Sequence, residues 1–144
     1  MKILTPGRAL GLFALLFAAS AAFAQPSPVG VWRTVDDEDG EPKSHVEIYE
    51  QGGKLFGRIQ TLLPEGRTCS PCADEFEGSD MRGVVILRDM EQDGDGWEGG
   101  TIRDPKTGRT YRAKMSLDGP NLLRLRGFVG FSLLGRTQVW ERVQ

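Results

Sequence analysis

Apolar and polar residues alternate in short runs along most of this chain, and Gly, Pro and Asp punctuate the runs. The clearest run is "RTYRAKMSL", residues 109–117. Tyr111, Ala113, Met115 and Leu117 fall on one side of it, and Thr110, Arg112, Lys114 and Ser116 on the other. A period of two puts alternate side chains on opposite faces of a strand, so one face can be buried while the other meets water. The same reading applies to "VGVWRTV" (29–35), "SHVEIYEQ" (44–51), "KLFGRIQTLL" (54–63), "GVVILRDM" (83–90), "WEGGTIRD" (97–104), "NLLRLRGFVG" (121–130) and "GRTQVWERV" (135–143). In the seventh run Leu123, Leu125 and Val129 are expected to share a face. Gly52-Gly53 reads as a hairpin turn, and "DPKTG" and "DGP" place Pro and Gly where turns need them. Gly57, inside a strand run, marks an expected bend or bulge.

Eight strands joined mostly by short turns predict an all-β fold. An up-and-down antiparallel barrel removes the open edges of such a sheet. Eight strands enclose a space just wide enough for packed side chains or one small ligand. A sandwich of two sheets is the rival arrangement for the same pattern. One long connection, 64–82, interrupts the alternation between strands 3 and 4 and contains both cysteines.

The first 24 residues follow a different rule. Lys2 and Arg8 precede an uncharged, Ala-rich stretch, 9–24, which closes on Ala22-Phe23-Ala24. A positive start, a short apolar core and a small-x-small end predict a cleaved secretory signal peptide, residues 1–24. The mature chain is then a single domain, residues 25–144, with no membrane span remaining after cleavage. Loss of Lys2 and Arg8 leaves 16 basic against 20 acidic side chains. A mildly acidic chain whose arginines alternate with apolar residues fits neither nucleic acid nor an anionic lipid surface. Export implies an oxidising compartment, periplasmic or extracellular.

That context bears on "TCSPC", residues 68–72. Cys69-Ser70-Pro71-Cys72 has the spacing of a dithiol redox centre, but such centres open a long helix whose N-terminus lowers the thiol pKa. Here only "ADEFEG" follows, and Glu65, Asp74, Glu75, Glu77 and Asp80 surround the pair with negative charge. A structural zinc site needs four ligands, and the single histidine, His45, is not brought near by spacing. A local disulfide between Cys69 and Cys72 needs only oxidation, and is the expected role.

No catalytic set, metal site or cofactor site is expected. "DGDGWE", 93–98, is too short for a calcium loop of the EF-hand kind and reads as a turn. His45 points away from Val46 and Ile48 with no nameable partner, and Ser44, Ser116 and Ser132 lack a nucleophile-elbow context. "GFVGFSLLG" has glycines without the helix or Lys that a phosphate loop requires. Its Phe128, Val129, Phe131, Leu133 and Leu134 read as a plug for one barrel end, or else as an exposed lip.

"GVW" at 30–32 resembles the Gly-x-Trp that opens lipocalin-type barrels. The resemblance implies that Trp32 closes one end of the barrel against an arginine of the last strand, Arg142 first and Arg136 second. "GVWRTVDDEDGEPKSHVEI", "GGTIRDPKTGRTYRAKMSL", "LRLRGFVG" and "LLGRTQVWER" together resemble a family of small exported bacterial proteins, domain of unknown function 2147. That resemblance implies a bacterial envelope location and a lipocalin-like barrel rather than a reaction. The expected function is binding of a small, partly apolar ligand, with Tyr111, Ala113, Met115, Leu123 and Leu125 lining the site and 64–82 as a lid. The other reading is a packed, ligand-free module that docks on an envelope protein through the same loop and the segment 128–134.

Overall fold

The structure is a computed structural model that describes residues 2–4, 7, 17–20, 26–131 and 133–144. Most of the predicted leader, and Ser132, lie outside the described residues. No helix among the described residues is long and apolar enough to cross a membrane.

Eight strands follow one another: β1 (Gly30–Val35), β2 (Pro42–Gln51), β3 (Lys54–Leu62), β4 (Val85–Asp93), β5 (Gly96–Arg103), β6 (Thr110–Asp118), β7 (Leu122–Phe128) and β8 (Gly135–Arg142). Each pairs antiparallel with the next, and β1 meets β8 to close the barrel. The inward positions are those the alternation marks. Ser44, Val46 and Ile48 are buried on β2, Ala113 and Met115 on β6, and Leu123 and Leu125 on β7. β2 starts at Pro42, earlier than its predicted run, with Pro42 opposite Val35 at the strand's first position, where a missing N–H is tolerated. Val129 lies beyond the end of β7 and is exposed rather than sharing the inward face of Leu123 and Leu125. The chain has left the sheet before the alternation reaches it.

Closure requires the sheet to coil, and register shifts supply the bending. They occur at Thr34/Val35, at His45/Val46, on both sides of Gly57 and between Trp97 and Gly100. Gly57 is needed there for lack of a side chain. A Cβ at this position would sit 3.0 Å from Leu87 Cβ and 3.2 Å from Val46 Cγ1.

The up-and-down order sorts the connections. The β2–β3, β4–β5 and β6–β7 turns and both margins of the barrel chain fall at one end; the β1–β2, β3–β4, β5–β6 and β7–β8 connections fall at the other. The first end is sealed. Trp32, Trp140, Ile48, Met90 and Leu123 are fully buried in the single core. Trp32 donates its Nε1–H to Pro28 O at 2.7 Å, and Val31 N–H bonds Gln144 O at 2.7 Å. The N-terminal approach and the C-terminus thereby cross beneath the barrel together.

Candidate functional site

The other end is not filled. A cavity of about 660 Å³ opens there, within the range of small-molecule sites. Trp140 and Leu125 line its floor side, Ile86, Ile102 and Leu62 its apolar walls, and Tyr111, Thr34 and Gln138 supply polar groups. Thr34 Oγ1 and Ser44 Oγ hydrogen-bond at 2.7 Å, and Trp140 donates Nε1–H to Gln138 Oε1 at 3.0 Å, so the buried polar atoms have partners.

Residues 63–84 join β3 to β4 without a strand of their own, and Thr68 to Cys72 line the cavity. The Sγ atoms of Cys69 and Cys72 are bonded, with Cα atoms 5.6 Å apart. Glu77 holds this short loop. Its carboxylate accepts from Ser70 Oγ–H at 2.5 Å and from Cys72 N–H at 2.6 Å. The Ser70 hydrogen bond first, then the Cys72 amide, keeps the Glu77 carboxyl below its ordinary range. Cys69, Phe76 and Met81 are buried beneath the segment. The far side is moored to the β5–β6 connection: Ala73 N–H bonds Pro105 O at 3.0 Å, Arg103 pairs with Glu75, and the Arg103 guanidinium lies 5.0 Å from the Phe76 ring.

Opposite that mooring, the β1–β2 turn meets β8 through charge. Arg136 donates from Nε to Asp37 Oδ2 at 2.9 Å and from its terminal nitrogen to Oδ1 at 2.6 Å, and Glu38 lies 3.2 Å away. The bidentate Arg136 hydrogen bond holds the Asp37 carboxyl below its ordinary value.

The residues expected to act fall into three places. Arg142 lies 4.3 Å above the Trp32 ring at the sealed end, whereas Arg136 faces the cavity and binds Asp37. Tyr111 and Leu125 line the cavity. Ala113, Met115 and Leu123 lie on the same inward face toward the sealed end and are buried in the core. Phe128 is buried against the cavity, whereas Val129, Phe131, Leu133 and Leu134 are exposed, so beyond Phe128 the segment forms a lip instead of a plug. His45 is half-buried on β2, opposite Arg33 and Thr61. Sequence reasoning passed over Thr34, Gln138 and the Asp37–Arg136 pair. The signal was available on β8, where Arg136, Gln138 and Trp140 alternate toward the interior.

The pattern of a family described as "Uncharacterized protein conserved in bacteria (DUF2147)" matches residues 30–142. The chain belongs to this family. The match spans all eight strands of the DUF2147 barrel. Among solved structures, protein HP1028 from the human pathogen Helicobacter pylori, described as belonging to the lipocalin family, superposes with a TM-score of 0.69. The two are 19% identical, and the alignment covers 82% of this chain and 84% of that one. This likeness establishes the lipocalin-like fold. No curated protein matches the chain.

Proposed function

We propose that this DUF2147 protein is an exported binding barrel, residues 25–144 after removal of the leader 1–24, that holds one small, partly apolar molecule in the bacterial envelope. The cavity of about 660 Å³ carries the reading, because its walls are mostly apolar and its few polar groups converge from different strands. Tyr111 is the polar group best placed to orient a guest. Its hydroxyl has no hydrogen-bond partner among the described residues, while Thr34 and Gln138 already have theirs. The disulfide and the leader both support an oxidising compartment outside the cytoplasm.

Native mass spectrometry of the protein taken from its own exported fraction tests this, followed by the same sample denatured. A bound mass that vanishes on denaturation is the expected result. A bare mass, with no rise in melting temperature on adding the neutral probe N-phenyl-1-naphthylamine, would remove the reading. The exposed lip of Val129, Phe131, Leu133 and Leu134 favours the second reading, docking on an envelope protein. In that case crosslinking through the lip captures a partner while the cavity stays empty.

A further inference from the structure

The barrel is closed unevenly. β7 and β8 pair along their whole length, from Leu122↔Glu141 to Phe128↔Gly135, and β6 and β7 do the same from Arg112↔Phe128 to Asp118↔Leu122. β1 and β8 pair only at Trp32↔Arg142 and Arg33↔Glu141, next to the sealed end. Beyond that point the β1 side of β8, from Gly135 to Trp140, carries no ladder to β1. Both margins of the parted seam line the cavity: Thr34 and Asp37 on one side, Gln138 and Trp140 on the other.

What spans the parting is side-chain charge, Arg136 against Asp37 and Glu38. The Arg136 side chain is 60% exposed and that of Asp37 24%. An ion pair reached by water can be parted side chain by side chain, whereas separating β6 from β7 or β7 from β8 would break a continuous row of backbone hydrogen bonds. The segment over the open end is a fixed rim, not a moving lid. Residues 63–84 are stapled by Cys69–Cys72, anchored by buried Phe76 and Met81, and moored to the β5–β6 connection.

We propose that the β1–β8 seam is a side door through which a small, partly apolar guest enters and leaves the cavity, with the Asp37–Arg136 pair as its latch. This inference rests on the binding reading above. The latch need not touch the guest: it sets exchange rate more than affinity, because opening the door helps entry and exit alike. Asp37 and Arg136 carry opposite charges, so neutralising either one should release the latch in the same direction.

The test is stopped-flow fluorescence with N-phenyl-1-naphthylamine on the full mature protein. Asp37→Asn and Arg136→Gln should each speed both association and dissociation about five-fold, the loss expected of an exposed ion pair, with Kd moved much less. The reversed pair, Asp37→Arg with Arg136→Asp, should return the rates toward the parent's and shows that charge reversal is compatible with folding. Uptake of probe at rates indifferent to all three variants overturns the door and leaves the binding reading standing. Acceleration by one variant and slowing by the other would mean that the two side chains act separately and not as a pair, and also overturns it. If the unmutated protein takes up no probe, the binding reading falls and the door with it.

Discussion

Replacing Arg142 by Ala perturbs the sealed end at its most connected side chain. The guanidinium covers the Trp32 ring at 4.3 Å and donates to three carbonyls: Pro120 O at 2.7 Å, Val29 O at 3.0 Å and Ser27 O at 2.7 Å. Those three come from the β6–β7 turn and the N-terminal approach, so one side chain ties separate segments beneath the barrel. The stack is worth about 1–2 kcal/mol, since Trp32 is fully buried. The hydrogen bonds add roughly 0.5 kcal/mol each, because the freed carbonyls lie near water and can be rehydrated. Arg142→Ala should therefore destabilise by about 2–4 kcal/mol, or lower Tm by about 10 °C for a domain of this size. The assay is urea unfolding followed by tryptophan fluorescence, in which a lower midpoint with an unchanged slope is the expected signature. Arg142→Lys should recover less than half of the loss, since an ammonium cannot stack flat and serve all three carbonyls at once. A loss below about 0.5 kcal/mol for Ala, or complete rescue by Lys, would refute the argument that this contact seals the barrel.

Gly57→Ala should cost about 1–3 kcal/mol in the same unfolding assay, because the new methyl meets Leu87 Cβ at 3.0 Å and Val46 Cγ1 at 3.2 Å in a packed core. Changing Cys69 and Cys72 together to Ser should cost less than about 2 kcal/mol, since the loop they close is only four residues long. The visible effect should instead be faster amide exchange and proteolysis within 63–84. The latch should resist acid. The Arg136 hydrogen bond holds Asp37 below its ordinary value of 3.8, so the pair's contribution is fully present above that pH and is lost as pH falls through the lower folded value. The other carboxylates facing the pair are Glu38, 3.2 Å from Arg136, and Asp36, 3.9 Å from Lys106. Probe exchange should stay flat from about pH 7 to pH 5 and quicken only below 3.8, and Asp37→Asn should abolish that rise. Acceleration already at pH 5 would contradict the assignment.

Period-two alternation was enough to order the strands and name most of the core, because each strand of a small closed barrel has one wet face and one dry one. "RTYRAKMSL" shows this: Ala113 and Met115 are buried, and Arg112 and Lys114 are exposed. The stacking of Arg142 on Trp32 came from a family likeness and not from pattern, since nothing local in either strand announces a partner about a hundred residues away. The cavity lining was read less well. Tyr111 and Leu125 lie against the cavity, but alternation cannot say how far along the axis a residue sits. Ala113, Met115 and Leu123 therefore appeared equivalent to them while lying in the packed core. The Asp37–Arg136 pair was hidden for another reason. Asp37 belongs to an acidic turn that reads as solvent-facing, and only barrel closure brings β8 against it.

Where the cavity lies follows from a second regularity, laid over the first. Near the sealed end the inward positions are large and apolar, with Trp32 on β1, Ile48 on β2, Leu123 on β7 and Trp140 on β8. Toward the open end the same inward faces turn small or polar: Thr34 on β1, Ser44 on β2, Gly127 on β7, and Gln138 then Arg136 on β8. Small residues leave volume, and a Cβ added at Gly127 would meet only ordinary contacts, Ile102 Cγ2 at 3.4 Å and Tyr111 Cβ at 3.6 Å. Polar residues line that volume with their hydrogen bonds already made, because Thr34 and Ser44 satisfy each other across β1 and β2 and Gln138 accepts from Trp140 on its own strand. Four strands change character at the same height, and that common height is the floor of the cavity. A period of two tells which side chains face inward; the change in size along the inward face tells where the barrel is solid and where it is hollow.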